Sequence, residues 1–170
     1  IIVDIQEKLI GVMQEKEKML ENITKLIKGI VLFGIPVLIT EQYPQGLGQT
    51  VSGIASLIPD YKPIPKLSFS CCGNQQFMQT LGQSGKTQIL LIGIETHVCV
   101  YQTAIDLINL GYQVSVVTDC VSSRTKGNIH LALHKMQTEG AKLTGTEMAL
   151  FELLKIAEGD KFKDISNFIK

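Results

Sequence analysis

Three side chains in this 170-residue sequence have the types needed for acyl-transfer chemistry: Asp4, Lys66 and Cys99. A thiol attacks a carbonyl carbon once a base takes its proton and a neighbouring charge steadies the anion, and a carboxylate and an ammonium can fill those roles. Cys99 stands in Gly93-Ile94-Glu95-Thr96-His97-Val98-Cys99-Val100, directly after the apolar run Gln88-Ile89-Leu90-Leu91-Ile92. Behind it, Val100, Ala104, Leu107 and Ile108 recur at helical spacing, and Gly111 is placed to end the helix. The spacing predicts a strand-to-helix junction at Cys99. A thiol there feels the positive end of the helix dipole, which predicts a depressed pKa and a populated thiolate. Backbone N–H groups of the same turn are candidates to hold an oxyanion.

The three residues are distant in sequence, so a fold has to bring them together. Ile1 to Ile5 reads as a first strand with Asp4 near its C-terminal end, followed by a helix from about residue 17 or 19 to Gly34. Residues 36–40 read as a second strand. A Gly- and Gln-rich loop (41–50) and an irregular segment (51–65) follow, ending in a short extended piece at Ile64-Pro65-Lys66. Asn74 is a cap for a helix over 75–82, and 88–92 is the central strand. Residues 113–118 form another strand closed by Asp119 in a turn, 128–140 a helix, 141–144 a short strand, and 146–157 a final helix capped by Thr146. Strands alternating with helices predict an α/β fold: a three-layer α/β/α sandwich around a mainly parallel, Rossmann-like sheet of about five or six strands. In a parallel sheet the C-terminal strand ends share one edge, where Asp4, Lys66 and Cys99 would meet.

Composition narrows the classes of function. With 45% apolar and 19% charged residues, the sequence reads as one globular domain over residues 1–170. Sixteen basic residues balance sixteen acidic ones with no basic block, so neither nucleic acid nor an anionic membrane surface is an expected partner. No apolar run is long enough to span a bilayer. Cys71, Cys72, Cys99 and Cys120 show no zinc-ligand spacing, and reduced thiols fit the cytoplasm or another reducing compartment. The chain opens on Ile1-Ile2-Val3, already inside a strand and without Met, so its N-terminus is expected to be incomplete. His130 and His134 stand four apart, but Leu131 follows His130, so the metalloprotease pattern fails and both read as helix-surface residues. Gly46-Leu47-Gly48 lacks the third glycine of a dinucleotide fingerprint. No metal and no cofactor are expected.

Val3-Asp4-Ile5-Gln6, Lys66-Leu67-Ser68-Phe69-Ser70 and the Gly93–Val100 block together resemble the isochorismatase-like cysteine hydrolase superfamily, and the whole chain is similar in length and element order. Thr40-Glu41-Gln42-Tyr43-Pro44 with Gly46-Leu47-Gly48, and Val121-Ser122-Ser123-Arg124, resemble its isochorismatase domain-containing branch. The resemblance implies Cys99 as nucleophile, Asp4 as general base and Lys66 as the group that lowers the thiol pKa and orients the pair. It also implies a cis peptide at Ile94-Glu95 that aims the N–H groups of Glu95 and Cys99 at an oxyanion. The reaction implied is attack on a small amide-like substrate, loss of ammonia or an amine, and hydrolysis of a thioester, in a homo-oligomer. Family nicotinamidases bind a metal through histidines in the loop after the second strand; residues 41–50 contain none. Gln6, Tyr43 and His97 are candidate pocket residues, and His97 is also a rival base. Two other readings of the same residues are an interaction or scaffold protein and a redox-responsive protein in which Cys72 resolves an oxidised Cys99.

Overall fold

The computed structural model describes residues 1–170. In chain order its elements are β1 (Ile2–Val3), α1 (Glu7–Ile10), α2 (Lys16–Leu32), β2 (Ile39–Gln42), α3 (Pro44–Leu47), α4 (Ser52–Ala55) and β3 (Ile64–Lys66). Then come α5 (Gln75–Gln83), β4 (Gln88–Ile94), α6 (Tyr101–Asn109), β5 (Gln113–Ser122), α7 (Lys126–Thr138), β6 (Lys142–Thr144), α8 (Thr146–Leu154) and α9 (Gly159–Ile169). The six strands form one sheet in the order β3-β2-β1-β4-β5-β6, and every pairing is parallel. The expected three-layer sandwich is therefore the observed one. Strand order reverses direction between β1 and β4, and the crevice outside the strand ends at such a switch point is where open α/β sheets bind ligands.

Alternation along buried strands divides the core into two layers. One packs Met19, Ile23, Leu26 and Ile27 of α2, Leu150 of α8 and Ile165 of α9 against Ile2, Ile39, Ile92 and Ile94. The other packs Phe77, Leu81, Leu107 and Met136 against Val3, Leu91, Val114 and Val116. At Gly93 the register between β4 and β5 slips. Its φ is +125° and an added Cβ would lie 2.1 Å from the Val3 carbonyl oxygen, so only glycine lets β4 pass β1 here. That contact sets how close the end of β1 comes to the turn carrying Cys99.

Several sequence expectations shift. Residues 44–47 and 52–55, read as loop and irregular, each wind into one helical turn. The 113–118 strand continues to Ser122, so Asp119 lies in β5 rather than in a turn. From there its carboxylate accepts from both the Thr146 N–H (2.9 Å) and the Thr146 hydroxyl (3.0 Å), capping α8 from another element. Thr146 is thus the first helical residue and Gly145 the cap. Helix α9 follows the helix read as final; Phe162, Ile165, Phe168 and Ile169 carry its periodicity, and Ile165 is fully buried.

Candidate active site

Asp4, Lys66 and Cys99 converge at the C-terminal edge of the sheet. Asp4 immediately follows β1, its neighbours on either side being the end of β2 and the Gly93 passage. Its backbone adopts φ +53°, a left-handed conformation that aspartate tolerates better than most residues and that turns the chain out of the strand. Lys66 ends β3. Its Nζ donates to Asp4 Oδ2 at 2.7 Å, and both side chains are fully removed from solvent. An ion pair this deep endures only where further hydrogen bonds complete both partners. They do so here: Asp4 Oδ1 accepts from the Thr40 hydroxyl at 2.7 Å. Lys66 Nζ also faces Gln42 Oε1 (2.7 Å), Ser68 O (3.1 Å) and Phe69 O (3.0 Å). Four acceptors surround three N–H donors, so the ammonium has none left over and acts on the thiol only through its charge.

Cys99 is 7% exposed and sits in a π-helical turn, Thr96–Val100, between β4 and α6. Its thiol is pushed up to about 12, first by burial and next by the Asp4 carboxylate; Lys66 pulls the other way and does not prevail. The depressed pKa expected from a helix N-terminus is overturned. Desolvation favours the neutral thiol, and the Asp4 carboxylate adds to that preference. The resting pair is therefore a protonated thiol facing a carboxylate.

In the same turn the Ile94–Glu95 peptide is cis. The Glu95 carbonyl accepts from the Val98 and Val100 N–H groups, while the Glu95 N–H makes no backbone hydrogen bond. The Glu95 carboxylate is tied to Arg124 Nε at 2.9 Å. The Thr96 hydroxyl is buried without a partner.

The other candidates sort by where their polar atoms go. His97 is directed at the β5–α7 connection: Nδ1 lies 3.0 Å from Ser123 Oγ and Nε2 lies 3.3 Å from Asn128 Nδ2. With the Asn128 amide assigned as donor, Nε2 accepts and Nδ1 carries the proton, so both ring nitrogens are engaged away from Asp4. Gln6 is fully buried, and its amide clips the loop after β2: Nε2 donates to Gln42 O (3.0 Å) and Gly48 O (2.6 Å), and Oε1 accepts from Gln42 N (2.7 Å). Every bond the side chain makes is to backbone, which makes it a support of the site rather than a lining residue. Tyr43 is half exposed and shares an open depression with Pro44, Lys66, Ser68 and Asn74. A larger cavity of about 710 Å³ opens at the opposite ends of the strands, between Ile1, Val37 and Leu90, away from the three converging residues. Cys71, not Cys72, is the second thiol close to Asp4, Lys66 and Cys99; Cys72 is nearer Ser70 and Asp106. His130 and His134 are exposed on α7, and no three His, Cys, Asp or Glu side chains gather as metal ligands.

Sequence reading alone did not pick out Thr40 or Gln42 as parts of this cluster. Thr40 and Gln42 lie on alternate positions of β2, and their distance from Lys66 and Asp4 depends on strand order, which no local pattern reveals.

A doubly wound parallel sheet with a buried Asp–Lys–Cys cluster at its switch point places the chain among the open α/β domains, and comparison with known proteins identifies the family. The isochorismatase domain pattern matches residues 1–148. The chain is 37% identical to the secreted isochorismatase effector Isc1 of Phytophthora sojae, over 99% of this chain and 82% of that protein. It is 38% identical to isochorismatase domain-containing protein 1 of Danio rerio over 86% of this chain, and spans about half (51%) of that longer protein. Among solved structures, the MAR1 ribonuclease of Caenorhabditis elegans superposes with a TM-score of 0.92 at 36% identity, covering 99% of this chain and 86% of that one. The octameric hydrolase YcaC of Escherichia coli, of unknown specificity, gives 0.89 at 25% identity, covering 99% and 89%. The chain belongs to the isochorismatase family. No helix is long and apolar enough to cross a membrane.

Proposed function

We propose that this chain hydrolyses a small amide-like substrate through a thioester on Cys99, with Asp4 as the base and Lys66 fixing Asp4 by charge, and without a metal. The observation that carries the reading is the buried Asp4–Lys66 pair presented to a thiol that burial keeps protonated. As Cys99 Sγ bonds to the carbonyl carbon, its proton moves to Asp4. The N–H groups of Glu95 and Cys99 receive the oxyanion. Collapse breaks the C–N bond, the Asp4 proton goes to the leaving nitrogen, and ammonia or an amine departs. Water then attacks the thioester, Asp4 takes its proton, and breakdown returns the thiol and releases a carboxylic acid. The balance is amide plus water to acid plus amine. With no histidine in residues 41–50 and no ligand cluster, nothing in the chain supports the metal-held pyridine of nicotinamidases.

The test is a panel of small amides scored for ammonia or amine release, with intact mass recorded for an acylated enzyme. A short RNA belongs in the panel because of the name carried by the C. elegans structure. The reading expects a substrate that adds its acyl mass to Cys99, with turnover lost in Cys99→Ala and reduced at least a hundredfold in Asp4→Asn, in line with removal of a general base. Turnover that survives Cys99→Ala ends it. RNA cleavage independent of Cys99 would move the chain to another class. The octameric YcaC supports self-association as a second element of the reading; sedimentation velocity showing only monomer at micromolar protein would remove it.

A further inference from the structure

The hydrogen bonds around Asp4 have a fixed direction, and that direction gives work to a residue the reaction above does not use. Thr40, on β2 and in register with Val3, donates to Asp4 Oδ1 at 2.7 Å. A carboxylate has no proton to offer, so the single hydroxyl proton of Thr40 is committed to it. The same Thr40 Oγ1 lies 3.6 Å from Cys71 Sγ. With its own proton already directed at Asp4, the hydroxyl can only accept there, so the Cys71 thiol is the donor. Cys71 is itself fixed by its backbone N–H, which donates to Thr103 Oγ1 at 3.0 Å. A one-way chain results: Cys71 S–H to Thr40 O–H to Asp4 Oδ1, with Lys66 on Oδ2. Asp4, Thr40 and Cys71 are all 0% exposed, so water cannot replace a missing donor.

We propose that Thr40 is a positioning residue that sets the proton affinity of Asp4, reinforced by Cys71, and so controls how readily Asp4 takes the Cys99 proton. The inference rests on the reading of Asp4 and Cys99 as base and nucleophile. Transfer turns a carboxylate facing a thiol into a neutral acid facing a thiolate. A donor aimed at the carboxylate stabilises the state before transfer more than the state after it. Lys66 cannot serve this purpose cleanly, because its charge favours the carboxylate and the thiolate together. Thr40 is neutral, so its effect falls on Asp4 alone. The titratable groups facing Asp4 are Lys66 from β3, Cys71 from the turn after β3 and Cys99 from the turn after β4.

The experiment is the rate of iodoacetamide alkylation of Cys99 against pH, resolved by peptide mass spectrometry, in the unmodified chain and in Thr40→Val, Thr40→Ser and Cys71→Ala. Alkylation of Cys99 reads the protons shared between Asp4 and Cys99. Holding two protons the pair is inert; holding one, it reacts through the fraction with the proton on Asp4, which gives an acid-side limb and a plateau. Thr40→Val is expected to move the limb up by about one pH unit and raise the plateau several-fold, the direction given by loss of a hydrogen bond to a charged acceptor. Thr40→Ser should restore both, and Cys71→Ala should shift the limb the same way by less. A purely structural role would change rates without moving the midpoint or distinguishing Ser from Val. An unmoved limb in Thr40→Val overturns the proposal. If that variant fails to fold, as judged by thermal unfolding, an unmoved limb in Cys71→Ala overturns it instead. Alkylation needs no substrate, so a shifted limb without amide hydrolysis ends the hydrolase reading alone, and hydrolysis with an unmoved limb ends this inference alone. A single limb near the Cys99 value with no plateau ends both.

Discussion

Asp4 and Glu41 follow one another across adjacent strands, and these two buried carboxylates are held in opposite ways. Asp4 divides its oxygens between an ammonium and a hydroxyl and faces a thiol. Glu41, 5% exposed, gathers three neutral donors on one oxygen: Thr50 N–H at 2.7 Å, Thr50 hydroxyl at 2.9 Å and Tyr61 hydroxyl at 2.8 Å. Burial, with the Glu41 charge adding to it, pushes the Tyr61 hydroxyl up to about 12, so that proton stays on Tyr61. The Glu41 cluster ties residues 50 to 61 onto the end of β2 and moves no proton. Burial alone therefore does not distinguish the two carboxylates; the cation and the thiol beside Asp4 do.

That contrast can be broken by substitution. Lys66→Met should have the largest effect, because it leaves Asp4 buried beside Thr40 without its cation. Removing one partner of a buried pair costs about 3–5 kcal/mol, and Cys99 alkylation at neutral pH should fall more than about tenfold as Asp4 takes a proton from solvent. Adding Asp4→Asn to that variant should recover much of the lost stability, measured by denaturant unfolding, since the uncompensated charge is gone. Glu41→Gln keeps an acceptor for the same donors and should cost about 1–2 kcal/mol, with Cys99 alkylation changed by less than about twofold. Equal losses of Cys99 reactivity in the two variants would erase the distinction.

A smaller effect sharpens it from the thiol side. All four thiols are held protonated in the fold, Cys72 up to about 11 and Cys99 up to about 12, from an ordinary value of 9.0. Above pH 9 the unfolded chain releases protons that the folded chain keeps, so stability falls as pH rises, until the folded thiols also ionise. Each such thiol contributes up to about 1.4 kcal/mol per pH unit within that window. Melting temperatures between pH 7.5 and 10.5 should therefore decline, and Cys99→Ala should lessen the slope by one thiol's share. A slope unchanged in that variant would mean Cys99 is not held protonated.

Part of the site was legible in the chain because strand ends are legible. Apolar runs placed Asp4, Lys66 and Cys99 near C-terminal strand ends, and parallel topology puts those ends on one edge. The sign of the Cys99 shift was not legible, because a helix dipole can be inferred from position whereas desolvation depends on what covers the residue. The direction of the His97 ring was not legible for a similar reason: its spacing from Cys99 is local, but its orientation is set by Ser123 and Asn128, which lie beyond β5. Gln6, expected to line a pocket, is occupied by three backbone bonds to residues 42–48.

The sequence by itself determined the alternation of strands and helices, the α/β class and the residue types available for acyl transfer, because hydrophobic period and turn residues act over a few positions at a time. Only the tertiary structure decided the strand order, the close passage of Gly93 over Val3, the enclosure that keeps the Cys99 thiol protonated, and the donors that hold Asp4. Those properties depend on which groups from distant segments exclude water together, and the energy of a buried charge or proton depends on that exclusion far more than on sequence neighbours.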